Sequence, residues 1–392
     1  MSWHRAIRAL GLQFEYVTDR MLRRDAFHPE DYKVLILSQC EAIGPDEARV
    51  IRDFVRGGGA VIADVRPGLY DERCKPLKAG ALDDVFGVRH TANVGAVAVP
   101  GRIHGALGGR NVTAEIADAR VNPAVEVTTG TALGQAGDSP ICILNRFGKG
   151  RAILLNFTMN SFPNLSLPQT EEAAADFLDA LFASTGVQWP VRMVDGEGRR
   201  MRNLEAVRWK TGDDLEVVAF YAPLDRGRHL IYPDHYRGGD CWTDRTNPSA
   251  GASVRIVLPR ARHITEIGAV RDPEPATTFT IHLRPRIPSF VVLSDRPLRS
   301  PVLKPATSAG ERGEALVMQV GIPDAQGLHA LTIRATGPDG RPAPWFDRTV
   351  MIDGQGAEIR LPLAHNEQTG AWTVEATDLY TSRKAVAKFH VE

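Results

Sequence analysis

Two continuous apolar runs with an amphipathic helix pattern between them constrain this chain more than any other feature. The runs Lys33–Ser38 and Ala60–Val65 lack the polar alternation of half-exposed strands, which is typical of strands covered on both faces of a parallel sheet. Between them, apolar residues recur at helical spacing over 47–55, and Gly57–Gly59 end that helix. This strand–helix–strand order predicts a parallel, doubly wound sheet.

The sequence pattern changes twice farther along the chain. Residues 1–190 mix strand and helix patterns and predict a flavodoxin-like α/β domain. Residues 191–298 carry strand patterns alone, which is the signature of a β-sandwich. After a proline-rich linker, residues 302–392 predict a second, immunoglobulin-like sandwich, with Trp345 and Trp372 in its core. We therefore expect a multidomain fold, α/β followed by all-β.

The start of the predicted sheet lacks one element. A flavodoxin-like sheet places its first strand inside the sheet, yet this chain opens on a helix pattern at Trp3–Leu10 and then a short strand pattern at Phe14–Val17. Without a first strand, two buried strand edges would lack backbone partners, which is costly. Either the sheet is rearranged, or another chain or an upstream segment supplies the strand; the remaining alternative is a fold that never had it.

Charge and cysteine usage limit the classes of partner. Basic and acidic residues both number 47, so no net field favours nucleic acid or an anionic membrane, and neutrality tolerates self-association. No apolar run approaches the roughly 20 residues of a membrane span, and no signal-peptide pattern opens the sequence. The four cysteines, Cys40, Cys74, Cys142 and Cys241, lie far apart, which favours reduced thiols over disulfides or a metal site. We expect a cytoplasmic protein.

The order of motifs in roughly the first 185 residues resembles a known family. Trp3–Val17, Tyr32–Ser38, Gly57–Val65, Leu82–Gly87 and the hairpin Phe147–Phe157 follow one another as in the trimerisation domain of family-42 β-galactosidases. That domain belongs to the class I glutamine amidotransferase-like superfamily. In the family a (β/α)₈ barrel precedes it and carries both catalytic carboxylates, and no stretch of this sequence can form such a barrel.

The C-terminal region shows a weaker resemblance. Gly337–Pro342 and Gly370–Val374 are similar to turns and strands of macroglobulin-type or immunoglobulin-like accessory domains.

A catalytic centre is not expected. An amidotransferase needs a cysteine on a sharp turn after a buried strand, activated by a histidine, but the strand end at Ala63–Gly68 has none. Cys74 follows in a polar loop with no obvious His–Glu pair. Asp83 and Asp84 occupy consecutive helical positions, which point about 100° apart, so they cannot form the facing pair of a glycosidase.

Polar side chains follow the carboxyl ends of the two predicted strands, where open α/β sheets bind ligands. The candidates are Glu41, Asp64, Arg66, Tyr70, Asp71 and Glu72. They would form a ligand or inter-subunit contact. The alternatives are a solvated loop whose charges pair among themselves, and a hydrolase site built on Asp64, Arg66 and Asp71.

A second candidate region lies in the first predicted sandwich. Tyr232, Tyr236 and Trp242 could stack on sugars, although the sequence favours local packing for them. The neighbouring His235, Asp240 and Cys241 match no common metal-site spacing, so no metal is expected. Gly57–Gly59 precede a strand rather than a helix, which argues against a phosphate cradle. No cofactor is expected.

The sequence favours a non-catalytic accessory or oligomerisation unit of a β-galactosidase-like glycoside hydrolase, acting in carbohydrate metabolism. It would self-associate, as a homotrimer for example, or bind a separate barrel-bearing glycosidase subunit, and it would contact carbohydrate. It would not be an enzyme by itself. The alternatives are the hydrolase near Asp64, Arg66 and Asp71, and a carbohydrate-binding module.

Overall fold

The computed structural model describes residues 2–24, 26–165, 172–201, 204–221, 252–268, 274–284, 287–354 and 356–392. The chain is mostly β and multidomain. The described residues form two compact units, one ending at Trp189 and one beginning at Pro190. Within these residues, no helix combines the length and the apolar composition that crossing a bilayer requires.

The first unit is built on one seven-stranded sheet with helices on its faces. Its elements are α1 (Trp3–Ala9), α2 (Asp19–Arg23), β1 (Val34–Leu37), α3 (Pro45–Gly57), β2 (Ala60–Asp64), α4 (Asp83–Phe86), β3 (Val88–His90), β4 (Val97–Leu107), β5 (Arg110–Val121), β6 (Val125–Val127), β7 (Thr131–Ala136), β8 (Ser139–Phe147), β9 (Gly150–Leu155) and α5 (Glu172–Ser184). The strand order is β1-β2-β9-β8-β7-β4-β5, while β3 and β6 form a separate pair.

Three strands of this sheet are parallel and four are antiparallel. β1 pairs with β2 and β2 with β9 in parallel, and the sheet continues from β9 through β8, β7, β4 and β5 in antiparallel fashion. The parallel, helix-covered arrangement expected from the sequence therefore holds for β1, β2 and β9 only. The sequence predicts a strand at Ala96–Val99, which is only the start of the long hairpin β4–β5. The rest of the hairpin is not predicted, although exposed and buried residues alternate along it as in a half-exposed strand.

The two faces of the parallel strands pack against different helices. Ile62 and Ile153 belong to a core that includes α1 and α5. Val61 and Ala63 belong to a second core that includes α2, α3 and α4. Successive side chains of a strand point to opposite faces, so the continuous apolar runs seen in the sequence are explained by burial on both sides.

Helix α3 forms where the sequence predicts it, for identifiable local reasons. Pro45 occupies the first turn, where its missing N–H costs nothing, and acidic Asp46 and Glu47 lie at the positive end of the helix dipole. Ile51 and Phe54 on the predicted face are buried. The helix ends at Gly57 and is capped by Gly58, whose φ of 123° suits glycine.

The short strand predicted at Phe14–Val17 does not form, and this prediction is wrong. The segment has no regular secondary structure, although Phe14 packs against the core that includes α1. A strand is stabilised by hydrogen bonds to a partner strand, and this segment has none among the described strands. The nearby strand β1 pairs only with β2 in that set.

The second unit begins with a sandwich of six strands. These are β10 (Arg192–Val194), β11 (Glu205–Lys210), β12 (Leu215–Tyr221), β13 (Ala252–Glu266), β14 (Ala276–Leu283) and β15 (Ser289–Ser294). The first half of β13 pairs with β10 and β14, and its second half pairs with β15 after an irregularity between Val257 and Arg262. The bent strand β13 therefore connects the strands β10 and β14 to the strands β11, β12 and β15, and these strands share one apolar core.

A second sandwich completes this unit. Its strands are β16 (Val302–Pro305), β17 (Ala309–Gly310), β18 (Ala315–Gly321), β19 (His329–Thr336), β20 (Arg348–Ile352), β21 (Ala357–Pro362), β22 (Gly370–Asp378) and β23 (Lys384–Val391). They form a three-stranded sheet, β16-β18-β21, and a five-stranded sheet, β17-β23-β22-β19-β20. The strands that the sequence predicts in the two sandwiches are confirmed, at 204–209, 215–221, 253–258, 279–283, 289–293, 315–320, 329–335, 357–362, 370–378 and 385–391. The structure adds β10, β16, β17 and β20.

The two tryptophans expected in this second core behave differently. Trp372 is 2% exposed, stacks on Phe389 and meets Phe346 edge-to-face. Its Nε1–H donates to the Gln368 carbonyl oxygen at 2.8 Å. Trp345 is 63% exposed, so the expectation for this residue is wrong. It lies in a short 3-10 turn that directs Phe346 inward instead.

A buried arginine links strands of the first sandwich. The Arg262 side chain is 8% exposed, and its Nε lies 2.5 Å from Asp295 Oδ1. Its Nη2 donates to the carbonyl oxygens of Asp214 and Leu293. Arg260 also donates to Asp295, at 2.8 Å. The bond from Arg260, together with the charge of Arg262, holds the pKa of the Asp295 carboxyl below its ordinary value.

Asp295→Asn is expected to destabilise the sandwich by about 2 kcal/mol at pH 7, because the charged hydrogen bond from Arg260 and the ion pair with buried Arg262 are lost. Because folding lowers the pKa of the Asp295 carboxyl, the stabilisation that its charged form provides is complete above the ordinary carboxyl pKa of about 4. This stabilisation is lost as the pH falls below that value. The difference between wild type and variant should therefore shrink on acidification. Thermal unfolding followed by circular dichroism at stepwise lower pH measures this.

Asp213→Asn is the matched control, because the Asp213 side chain is fully exposed and lies 3.5 Å from Lys210. It should leave the unfolding temperature nearly unchanged. If the stability difference between wild type and Asp295→Asn stayed constant down to about pH 3, the stabilising role assigned to the charged Asp295 carboxyl would be contradicted.

Candidate functional site

The carboxyl ends of β1, β2 and β9 lie side by side because these strands are parallel. The second residue after β1 is Gln39, with a φ of 47°, and the second after β2 is Arg66, with a φ of 64°. Left-handed backbone at residues other than glycine is uncommon and concentrates at functional sites. Both residues lie at the edge of the sheet where the sequence predicts the ligand-binding candidates.

Asp64 lies beneath this edge rather than on it. Its side chain is buried, with Oδ1 accepting from the Gln39 N–H at 2.5 Å and Oδ2 accepting from the Met159 N–H at 3.2 Å. Burial raises the pKa of Asp64, and the backbone donors oppose that shift in part. The carboxyl group thus joins the segments that follow β1 and β9, and both of its oxygens are engaged.

Arg66 organises a polar cluster on the surface of the same edge. Its Nη2 donates to Asn93 Oδ1 at 2.7 Å and to the Tyr70 hydroxyl at 3.2 Å. Glu41 Oε2 lies 3.6 Å from the same nitrogen, and the guanidinium lies over the Tyr70 ring. We call Glu41, Arg66, Tyr70 and Asn93 the Arg66 cluster. It brings together three of the six predicted residues.

Backbone pairing explains how this cluster assembles. The Tyr70 N–H donates to the Glu41 carbonyl oxygen, and the Ile43 N–H donates to the Tyr70 carbonyl oxygen, both at 2.9 Å. The loop after β2 is therefore fixed to the loop after β1. Asn93 comes from a distant loop with no motif around it, so nothing in the sequence indicates its part in the cluster.

The other two candidates lie apart from this cluster. Asp71 Oδ1 accepts from the N–H groups of Arg73 and Lys75, which closes its own turn. These bonds, led by that from Lys75, hold the pKa of Asp71 below its ordinary value. The Glu72 side chain lies against Gly44, at the start of α3. The structure therefore places Asp64, Arg66 and Asp71 in three separate environments.

Two of the thiols in the first unit, those of Cys40 and Cys142, have raised pKa values. Burial, with a further contribution from Asp64, raises the pKa of Cys40, whereas a nucleophilic cysteine needs a lowered one. Cys74 is exposed within the turn that Asp71 closes. Burial raises the pKa of Cys142 to about 12. These three cysteines are free thiols.

Asp83 and Asp84 do not face one another. Asp83 Oδ1 lies 2.6 Å from His90 Nδ1, and its Oδ2 accepts from the N–H groups of Gly80 and His90. Asp84 pairs with Arg52 at 3.0 Å. Each carboxylate thus has its own structural partner.

The sugar-stacking candidates Tyr232, Tyr236 and Trp242 lie outside the described residues, as do His235, Asp240 and Cys241. Among the residues that are described, no group of three or more histidine, cysteine or acidic side chains is arranged to hold a metal ion.

An apolar groove runs beside β1 in the first unit. Its volume is about 590 Å³, and its walls come from β1, α1 and the segment Leu12–Val17, with further residues of α2 and α3. Trp3, Ile7, Val34 and Ile36 are among its apolar lining residues. We call this feature the β1 groove. An unpaired strand edge in this region is one of the outcomes that the sequence leaves open, and the groove lies at the free edge of β1.

Comparisons with known proteins give only distant likenesses. The sequence matches no protein-family model and no curated protein. Among solved structures, Gan42B, a GH42 β-galactosidase from G. stearothermophilus, has 14% identity and a TM-score of 0.48 over 75% of this chain. The β-galactosidase from Bacillus circulans sp. alkalophilus gives 14% and 0.48 over 74%, and that from Rahnella sp. R3 gives 16% and 0.47 over 74%. This chain spans 35% to 36% of the length of those proteins.

Proposed function

We propose that this chain is a non-catalytic accessory or oligomerisation unit of a β-galactosidase-like glycoside hydrolase. It acts by subunit assembly, as a self-associating chain or as the partner of a separate barrel-bearing subunit, and it contacts carbohydrate. The β1 groove is the observation that carries the assembly function. Contiguous apolar surface of this kind marks interaction sites in soluble proteins.

The link to a glycosidase rests on the order of sequence motifs between Trp3 and Phe157. In this proposal the first unit is a flavodoxin-like domain of the amidotransferase-like kind. Helices on both faces of β1, β2 and β9 support that assignment. The domain divisions 1–190, 191–298 and 302–392 belong to the same proposal.

The chemistry at the carboxyl edge favours assembly over catalysis. Both oxygens of Asp64 accept backbone N–H groups, and Asp71 is committed to its own turn. The Arg66 cluster pairs its groups with one another and is a polar contact surface. The alternative hydrolase would need Asp64 and Asp71 to converge on one substrate atom, which their separate contacts oppose.

Size-exclusion chromatography with light scattering tests the proposal on the full chain. We expect a mass that is a multiple of 42.8 kDa, threefold for a trimer, or a stable complex with a purified family-42 β-galactosidase barrel. A monomer at every concentration that also fails to bind the barrel would refute the assembly function. Glycoside or amide hydrolysis by the purified chain, lost in Asp71→Ala, would refute its non-catalytic character.

A further inference from the structure

We propose that the β1 groove takes up an extended apolar segment of a partner polypeptide, which adds to the sheet as a further strand. The inference rests on the proposed assembly function and states the chemistry of the partner. It is carried by the backbone of β1, by the two walls of the groove and by the charges in its lining.

The backbone of β1 presents free hydrogen-bonding groups to the groove. The Lys33 carbonyl oxygen accepts from the Ala60 N–H at 3.0 Å. Because alternate residues of a strand direct both backbone groups to the same side, Leu35 and Leu37 also face β2. Val34 and Ile36 therefore direct their N–H and C=O groups into the groove, where no described residue bonds to them. Such an edge is a template for strand addition.

The two walls of the groove are both apolar. Val34 and Ile36 pack against the core that contains α1 and α5, and Leu35 and Leu37 belong to the core that contains α2 and α3. The groove is lined by residues from both of these layers, so it continues the plane of the sheet between them. A strand inserted there would turn alternate side chains toward each layer. Its sequence should therefore be an uninterrupted apolar run, rich in β-branched residues.

The far side of the groove also lacks a strand partner. The segment Leu12–Val17 lines it without regular secondary structure, although the sequence predicts a strand at Phe14–Val17. Within the lining, the Tyr32 hydroxyl donates to Glu15 Oε2 at 3.2 Å. An inserted strand would give this segment the ladder that it lacks. The absence of this inserted strand then explains both why Phe14–Val17 does not form a strand and why the edge of β1 is free.

The source of the strand is inferred from what the described residues leave available. The long apolar runs among the described residues already lie in helices or paired strands, so none of these runs could occupy the groove of a second copy without unfolding. Charge in the lining favours a particular partner. Asp19 and Glu47 both pair with Arg23, and the other acidic lining residues, Glu15 and Asp31, have Lys33 as the one lysine or arginine of the lining. A partner segment with basic residues flanking its apolar run complements this imbalance.

The test measures binding of a synthetic peptide to the full chain. The probe is a fluorescent peptide with the sequence Lys-Lys-Val-Ile-Val-Val-Thr-Lys, followed by fluorescence anisotropy. Its control carries N-methyl groups on alternate apolar residues, which removes backbone donors and keeps the side chains. Ile36→Pro removes the N–H that points into the groove and leaves the ladder to β2 intact, as proline does on edge strands. Ile36→Val keeps that N–H.

We expect the peptide to bind, and both the N-methylated peptide and Ile36→Pro to weaken binding about tenfold. Ile36→Val should change the affinity by about twofold or less. Equal binding of the two peptides to the wild-type chain would overturn the inference, even if Ile36→Pro failed to fold. Absence of peptide binding would overturn it as well.

Light scattering on the same samples separates this inference from the proposed function. A complex that forms without peptide binding, and that Ile36→Pro leaves intact, refutes strand addition and preserves assembly. Self-association that Ile36→Pro abolishes, with no affinity for the peptide, identifies a second copy as the occupant and refutes the partner segment. A monomer with no binding of any kind refutes both.

Discussion

Replacing Trp372 by alanine is expected to lower the free energy of unfolding of the C-terminal sandwich by about 4 kcal/mol, the usual cost of removing a buried aromatic side chain. Trp372 fills the centre of this core between Phe346 and Phe389. The variant also loses the hydrogen bond from the indole to Gln368. Urea denaturation followed by near-ultraviolet circular dichroism measures the change.

Trp345→Ala is the matched control within the same sandwich. Trp345 has the same side chain but is mostly exposed, and surface substitutions usually change stability by about 0.5 kcal/mol or less. If Trp372→Ala and Trp345→Ala lowered the free energy of unfolding by similar amounts, the assignment of Trp372 to the core would be contradicted. A cost of about 0.5 kcal/mol for Trp372→Ala would contradict it as well.

Asp64→Ala is expected to destabilise the first unit by about 3 kcal/mol, because the N–H groups of Gln39 and Met159 lose a buried acceptor. Asp64→Asn keeps one acceptor oxygen and should cost about 1 kcal/mol. Denaturant unfolding monitored by far-ultraviolet circular dichroism measures both. Similar losses of unfolding free energy in the two variants would contradict the conclusion that the Asp64 carboxyl group stabilises the fold by accepting these two hydrogen bonds.

The pH dependence of Asp64 has the opposite sign to that of Asp295. Burial raises the pKa of Asp64, so the fold penalises its charged form at neutral pH. That penalty is relieved as the pH falls through the raised pKa toward about 4. The stability gap between wild type and Asp64→Ala should therefore widen on mild acidification. A gap that narrows over that range would contradict this prediction.

The Arg66 cluster shows how far sequence reasoning reaches at the candidate site. The rule that ligand residues follow parallel strands located Glu41, Arg66 and Tyr70 at one edge, where the structure joins them. The same rule selected Asp71, which instead closes a turn with its own neighbours. Proximity along the chain does not distinguish these outcomes, because a carboxylate two residues from a free N–H can satisfy it locally.

The sequence by itself determined the local elements of this protein. The apolar runs at β1 and β2, the helix α3 and most strands of both sandwiches follow from periodicity and from turn and capping residues, which act over a few positions. Tertiary structure alone decided which strands pair, and so which edge stays open beside Val34 and Ile36. It likewise decided that Asn93 meets Arg66, that Trp345 is exposed and that Arg262 is buried. These outcomes depend on contacts between residues far apart in the chain, which no local pattern encodes.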